Sequence, residues 1–297
     1  MKNIFKILLA LLVAALLVSC SPKTNDANNV TDGPVDSDTQ SPSDKDDDTI
    51  MYTNLTKDET KNELKKTLSD KGLDDGDISA FIKNLDEYNE SADTNELASD
   101  FTKYNDEVAY YNSMDKFAEK NPDFLGVNCR ITTFSLIKNS LDIAKEIEDK
   151  SSVLDFDKKA INDKNLLSED QLKKFITYYA PINVNDEKAK YEDLIIKEFN
   201  ERGIKFKNDD VKVVSVYLNS NDEIDGNILF IGHTGLMYED QGKVYFLEKL
   251  SFQEPYQLIK FNSKKDLYDY LMKKYNQDMG ENTHEAIITE NDKVFTY

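Results

Sequence analysis

Hydrophobic and polar positions divide the chain into four stretches with different periods. Ile7 to Val18 is an unbroken apolar run preceded by Lys2 and Lys6, and residues 21–50 are polar almost throughout. From Tyr52 to about Asn121 apolar residues return at helical spacing. Leu55-Thr56-Lys57-Asp58-Glu59 reads as a staple residue followed by a capping box, and Leu64 and Leu68 continue the stripe until Gly72 can end the helix. Ile78, Phe81, Ile82, Leu85 and Tyr88 repeat the three- and four-residue steps in a second helix.

Beyond Leu125 helices give way to strands. Ile131, Phe134, Ile137, Leu141, Ala144 and Ile147 predict one helix with a buried face, Asn128 as its N-cap and Cys129 in its first turn. Helices over 168–180 (Ser168 and Gln171 as a capping box) and 186–202 follow. Val211, Val213 and Val216 open a β-rich section. Ile228 to Tyr238 and Val244 to Phe252 are two extended runs joined through Glu239–Lys243, which predicts a hairpin. Ser263 caps a helix to about Tyr275 with Leu267, Tyr270 and Leu271 inward, and Ala286 to Tyr297 reads as a last strand pair turned at Glu290-Asn291-Asp292. The expected fold class is α+β: a helical subdomain over 51–121, then a domain over 122–297 in which the Cys-bearing helix packs on an antiparallel sheet.

Composition narrows the setting. The formal net charge is −20, and removing residues 1–19 takes away two lysines and no acids. Such a surface excludes nucleic acid, whose binding rests on basic side chains at phosphates, and opposes charge-driven adhesion to anionic lipid or wall polymer. Residues 21–50 hold eight Asp and two Lys with almost nothing apolar, so they predict a self-repelling disordered tether. The apolar run is too short for a stable membrane span, and Leu17-Val18-Ser19-Cys20 closes it with small residues, as in a cleaved leader. No serine-hydrolase elbow or Gly-rich phosphate loop occurs, and one further Cys with two His lacks zinc-site spacing, so neither metal nor cofactor is expected.

The chemistry then falls on few residues. With Cys20 at the leader's end, Cys129 is an unpaired thiol, and a thiol in a first helical turn feels free backbone amides and the positive dipole end, which favour thiolate. The plainer reading is a small buried hydrophobe. His233 interrupts an apolar strand between Gly232 and Gly235. A two-residue turn at Asp240–Gln241 puts Glu248 directly opposite it, and a three-residue loop shifts the pairing by one. A carboxylate beside an imidazole fixes its tautomer and stabilises its protonated form. His284, in a polar loop, is the fallback base.

A Cys opening a core helix, a His on a following antiparallel strand and a polar residue on the next resembles the papain-like fold, above all its bacterial NlpC-type cell-wall peptidase branch, over about Val127 to Phe252. The resemblance implies Cys129 as nucleophile, His233 as base and Glu248 as the orienting residue. Asn128 is the oxyanion candidate beside the Cys129 amide; in a non-catalytic, ligand-binding alternative Cys129 is structural and Gln253, Tyr256 and Gln257 shape the same cleft. Leu17-Val18-Ser19-Cys20 resembles a lipobox, which implies a diacylglyceryl thioether on Cys20 and a lipid-anchored, extracytoplasmic protein. Across the mature chain, Tyr52-Thr53-Asn54-Leu55, Asn128-Cys129-Arg130-Ile131-Thr132, Phe230-Ile231-Gly232-His233 and Phe246 to Gln257 resemble an uncharacterised family of Gram-positive lipoproteins known by a domain-of-unknown-function label. Two functions stay open: a monomeric surface cysteine hydrolase or acyltransferase acting on an amide or ester of peptide or cell-wall type, and a non-catalytic lipoprotein that binds a peptide or small ligand.

Overall fold

The structure, a computed structural model, describes residues 49–185, 189–276, 279 and 283–297. The leader, Cys20 and the tether lie outside them. Eight α-helices occur among the described residues: α1 (Asp58–Asp70), α2 (Asp75–Ser91), α3 (Tyr111–Lys120), α4 (Cys129–Ile137), α5 (Asp155–Lys164), α6 (Glu169–Tyr179), α7 (Tyr191–Arg202) and α8 (Lys264–Tyr275). The long strands are β6 (Val211–Asp222), β7 (Gly226–Asp240), β8 (Lys243–Lys249) and β9 (Tyr256–Phe261). Short strands are β1 (Met51–Thr53), β2 (Thr102–Lys103), β3 (Leu141–Ile143), β4 (Ile182–Asn183), β5 (Ile204–Phe206), β10 (Ile287–Glu290) and β11 (Lys293–Val294). The fold is α+β, with one antiparallel sheet in the order β11-β10-β6-β7-β8-β9-β1-β2, β4 added against β7, and β3 paired with β5 apart from it.

Alternation along the strands separates two cores. Leu236, Tyr238, Leu247, Tyr256 and Leu258 face the layer formed by α1 to α7, whereas Val214, Met237, Phe246, Ile259 and Phe261 face Leu267, Tyr270 and Leu271 of α8. Residues 51–121 and 122–297 share this framework: β1 pairs with β9, and Leu64, Phe81 and Leu85 pack in the same core as Phe134 and Phe175. Among the described residues no helix is long and apolar enough to cross a membrane.

Several expected elements form, some with different bounds. Ser168 and Gln171 make the reciprocal capping box of α6, and Ser263 caps α8. α1 begins at Asp58 after Lys57 without a side-chain cap, so the box expected at Thr56 is not used. The first residues of the helix expected over 186–202 lie outside the described set, and α7 ends at Gly203 in the left-handed region. The helix expected from Cys129 to Ile147 ends at Ile137. Leu141 to Ile143 instead pair with Ile204 to Phe206, so the continuing three- and four-residue spacing is coincidental. The hairpin turn is Gln241-Gly242, both at positive φ (48° and 74°), with Asp240 paired to Lys243. That backbone favours Gly at its second position, which sets the turn one residue later than the expected Asp240–Gln241.

Gly235 faces Glu248 across the hairpin, and a Cβ there would lie 2.5 Å from Phe246 Cζ and 2.6 Å from the Leu247 oxygen. Gly235→Ala is expected to lower unfolding stability by about 2 kcal/mol through overpacking in urea titration; an unchanged midpoint would show that the sheet yields there.

Candidate active site

Cys129 reaches the sheet where the ladder has a gap. β8 pairs with β7 only as far as Gly235 opposite Glu248, and β4 takes up pairing again at Leu229. Between them the N-terminus of α4 comes in, and Arg130 Nη1 donates to the Ile231 carbonyl at 2.9 Å. Asn128 caps the helix, its Oδ1 accepting from the Ile131 amide at 3.0 Å. Both residues flanking Cys129 are then tied to Asp157, itself wholly buried. Its Oδ1 accepts from Asn128 Nδ2 at 2.8 Å and Arg130 Nε at 2.9 Å, and its Oδ2 from Arg130 Nη2 at 2.6 Å. The paired charges hold the Arg130 guanidinium firmly protonated against its burial.

On the sheet the register differs from the expected one. Glu248 stands opposite Gly235, not His233, because the turn falls at Gln241-Gly242. His233 and Gly235 share a face, so the pair meets diagonally across the hairpin, within reach of long side chains. His233 Nε2 lies 2.5 Å from Glu248 Oε2. The remaining ring nitrogen, Nδ1, is left for the Cys129 thiol, which is close enough for each group to shift the other's protonation. The His233 ring stacks on Tyr275 with centroids 3.9 Å apart and planes 7° from parallel.

Glu248 is 1% exposed and receives four donors. Oε2 accepts from His233 and from the Tyr275 hydroxyl at 2.9 Å; Oε1 accepts from Gln257 Nε2 at 2.5 Å and from the Tyr270 hydroxyl. Burial alone pushes a carboxyl up, but the His233 charge and these hydrogen bonds, with Lys274 nearby, hold Glu248 down at about 2. Burial pulls His233 toward its neutral form, yet Cys129 and Glu248 raise it to about 9. Burial likewise opposes the Cys129 thiolate, and the charge and hydrogen bond of His233 outweigh it, so the thiol is depressed. The three residues form a buried Cys–His–Glu line whose charges favour thiolate, imidazolium and carboxylate. Cys129 is 6% and His233 2% exposed.

The other expected residues are placed differently. The Asn128 amide is spent on Asp157. Gln253 contributes its carbonyl to the Tyr88 hydroxyl at 2.9 Å, and Tyr256 packs edge-on against Phe81 and Tyr88 on the opposite face of the sheet from Glu248. His284 is exposed, its Nδ1–H donating to the Glu285 carbonyl and its ring against Tyr191, and it is not part of the centre. Sequence reading missed Arg130, Asp157 and Tyr275. Tyr270 was legible only as an inward residue, and Tyr275 follows it by five positions at the helix end, a spacing that no simple face argument joins.

The family model for a domain of unknown function, DUF4300, matches residues 51–295. No curated protein and no solved structure matches the chain.

Two measurements check the electrostatics. Alkylation of Cys129 by iodoacetamide is expected to stay fast well below the ordinary thiol value of about 8.5, and His233→Ala to move the profile to or above that value. A wild-type profile with an ordinary midpoint contradicts the pairing. Because the folded Glu248 carboxyl is depressed from 4.5 to about 2, its stabilisation is complete above 4.5 and is lost as pH falls toward 2. The stability gap between wild type and Glu248→Gln should therefore narrow across that window in denaturant titrations, and a pH-independent gap excludes this role.

Proposed function

The chain belongs to the DUF4300 family, and from that premise we propose that it is a lipid-anchored, extracytoplasmic cysteine hydrolase or acyltransferase with a papain-like core, acting on an amide or ester of peptide type. The observation that carries this reading is the Cys129–His233–Glu248 line: a depressed thiol at a helix N-terminus, beside an imidazole raised to about 9 and backed by a fixed carboxylate. The anchor at Cys20 and the acidic tether are read from the lipobox and composition alone.

The chemistry is that of covalent acyl transfer. Cys129 Sγ, its proton already on His233, attacks the carbonyl carbon; a C–S bond forms and the carbonyl electron pair moves to oxygen. The first-turn amides of Cys129 and Arg130, which have no intrahelical acceptor, are the donors available to that oxyanion. On collapse the C–N or C–O bond breaks and the His233 proton passes to the leaving group. Neutral His233 then takes a proton from water, or from an acceptor amine or alcohol, whose oxygen or nitrogen attacks the thioester. The C–S bond breaks and the thiolate–imidazolium pair returns. Glu248 stays ionised throughout and keeps the ring oriented.

A second reading is favoured by one observation, the burial of Cys129 and His233, which suits a structural pair in a ligand-binding lipoprotein. Turnover of p-nitrophenyl esters and anilides separates them. Cys129→Ala should abolish it and His233→Ala lower it by at least about 10²-fold, with circular dichroism unchanged. Undiminished activity in a folded Cys129→Ala protein excludes the hydrolase.

A further inference from the structure

Resting on the Cys129–His233 pairing of the catalytic reading, we propose that Tyr275 is a positioning residue for the base: its ring face holds and stabilises the His233 imidazolium while its hydroxyl holds Glu248. Tyr275 is the last residue of α8 and is half-buried. Its phenol lies flat on the imidazole, with centroids 3.9 Å apart and planes 7° from parallel. The hydroxyl of the same side chain donates to Glu248 Oε2 at 2.9 Å, the oxygen that His233 Nε2 also meets. One side chain therefore touches both the base and its carboxylate.

Such a stack acts on the imidazole twice. To tilt out of its plane the ring has to leave the phenol face, so the contact of Nε2 with Glu248 is kept in line. The face of an aromatic ring also carries negative potential and attracts an imidazolium more than a neutral imidazole, most strongly where water is excluded. His233 is buried, so the attraction offsets part of the desolvation that pulls it toward neutrality. The charged groups around the ring come from three elements. Cys129 of α4 and Glu248 of β8 favour the imidazolium, and Arg130 beside Cys129 is paired with Asp157. Lys274 of α8 lies 5.6 Å from the Tyr275 centroid and 5.3 Å from that of Tyr270, and it donates to the Tyr270 hydroxyl at 3.1 Å. Its charge thus reaches Glu248 through Tyr270, against which Tyr104 packs edge-on at 5.5 Å. Lys249, next along β8, turns to the opposite face, where its Nζ donates to the carbonyls of Ser251 at 2.9 Å, Phe252 at 3.4 Å and Glu254. Among these neighbours Tyr275 alone contacts the imidazole through a parallel ring face.

The test is the titration midpoint of His233, read by NMR on the full chain carrying isotope-labelled histidine. The chain holds 2 histidines, so His233 and His284 give separate imidazole signals that His284→Gln assigns. Wild-type His233 should titrate at about 9. Tyr275→Phe should hold or raise that midpoint, because the ring face remains and Glu248 Oε2 is left to His233 alone. Tyr275→Leu should lower it by about 1, as loss of a desolvated cation–π contact implies. Tyr275→Met carries the same expectation and replaces Tyr275→Leu if that protein does not fold. The alkaline limb of p-nitrophenyl ester turnover should move down with the midpoint in Tyr275→Leu and stay in place in Tyr275→Phe. A Tyr275→Leu midpoint at or above the wild-type one overturns the proposal and leaves Tyr275 as apolar cover, since water admitted by a smaller side chain raises a buried imidazole. A Tyr275→Phe midpoint that falls as far as that of Tyr275→Leu also overturns it, because the ring face then contributes nothing. The catalytic reading fails separately: a wild-type midpoint that Cys129→Ala does not lower removes the thiol pairing, whatever the Tyr275 variants show.

Discussion

A carboxylate taken out of water costs several kcal/mol, and Glu248 meets that cost with donors from every element around it. His233 comes from β7, Gln257 from β9, and Tyr270 and Tyr275 from α8. Two oxygens offer about four acceptor positions, and all four are filled. The residue therefore does more than orient an imidazole. It binds one face of the sheet to its covering helix and takes Nε2 of His233 for itself, which leaves Nδ1 free of it.

A second carboxylate governs the nucleophile independently. Asp157 holds the residues on both sides of Cys129, and Arg130 passes the constraint on to Ile231, two residues before His233. The gap between β8 and β4 matters here. Where a strand would have covered the Ile231 carbonyl, a guanidinium does so instead, which leaves the approach to β7 open to a helix terminus. Base and nucleophile are thus held by two ion networks, one on Glu248 and one on Asp157, that meet at the thiol and along β7 near Ile231. The two can be perturbed one at a time.

Much of this was legible in the residues. The stripes of α1 and α2, the Ser168 capping box, the Asn128 cap and the long hairpin all follow from local pattern, because each is decided by neighbours within a few positions. The Glu248–His233 contact was reached through a register that proved to be displaced, since the turn was placed at Asp240–Gln241 and positive φ moved it to Gln241-Gly242. β3 was absorbed into a helix because Leu141 kept helical spacing while its partner, Phe206, lay far along the chain. The donors of Glu248 were hidden for the same reason: Gln257, Tyr270 and Tyr275 are separate in sequence and converge only when β9 and α8 fold against β8. Lys249 gave no signal at all, since a lysine after a glutamate at a strand end reads as solvent-facing.

Glu248 and Lys249 are consecutive, both buried, and point to opposite faces of β8. Strand alternation turns this into a proofreading device for folding. A slip of β8 by one residue against β7 and β9 would drive an ammonium into the pocket built around an imidazolium and leave a carboxylate facing the carbonyls of the loop from Ser251 to Glu254. An apolar strand penalises such an error only through poorer packing. Here the error carries two misplaced charges, so the hairpin has one register in which it can be buried at all.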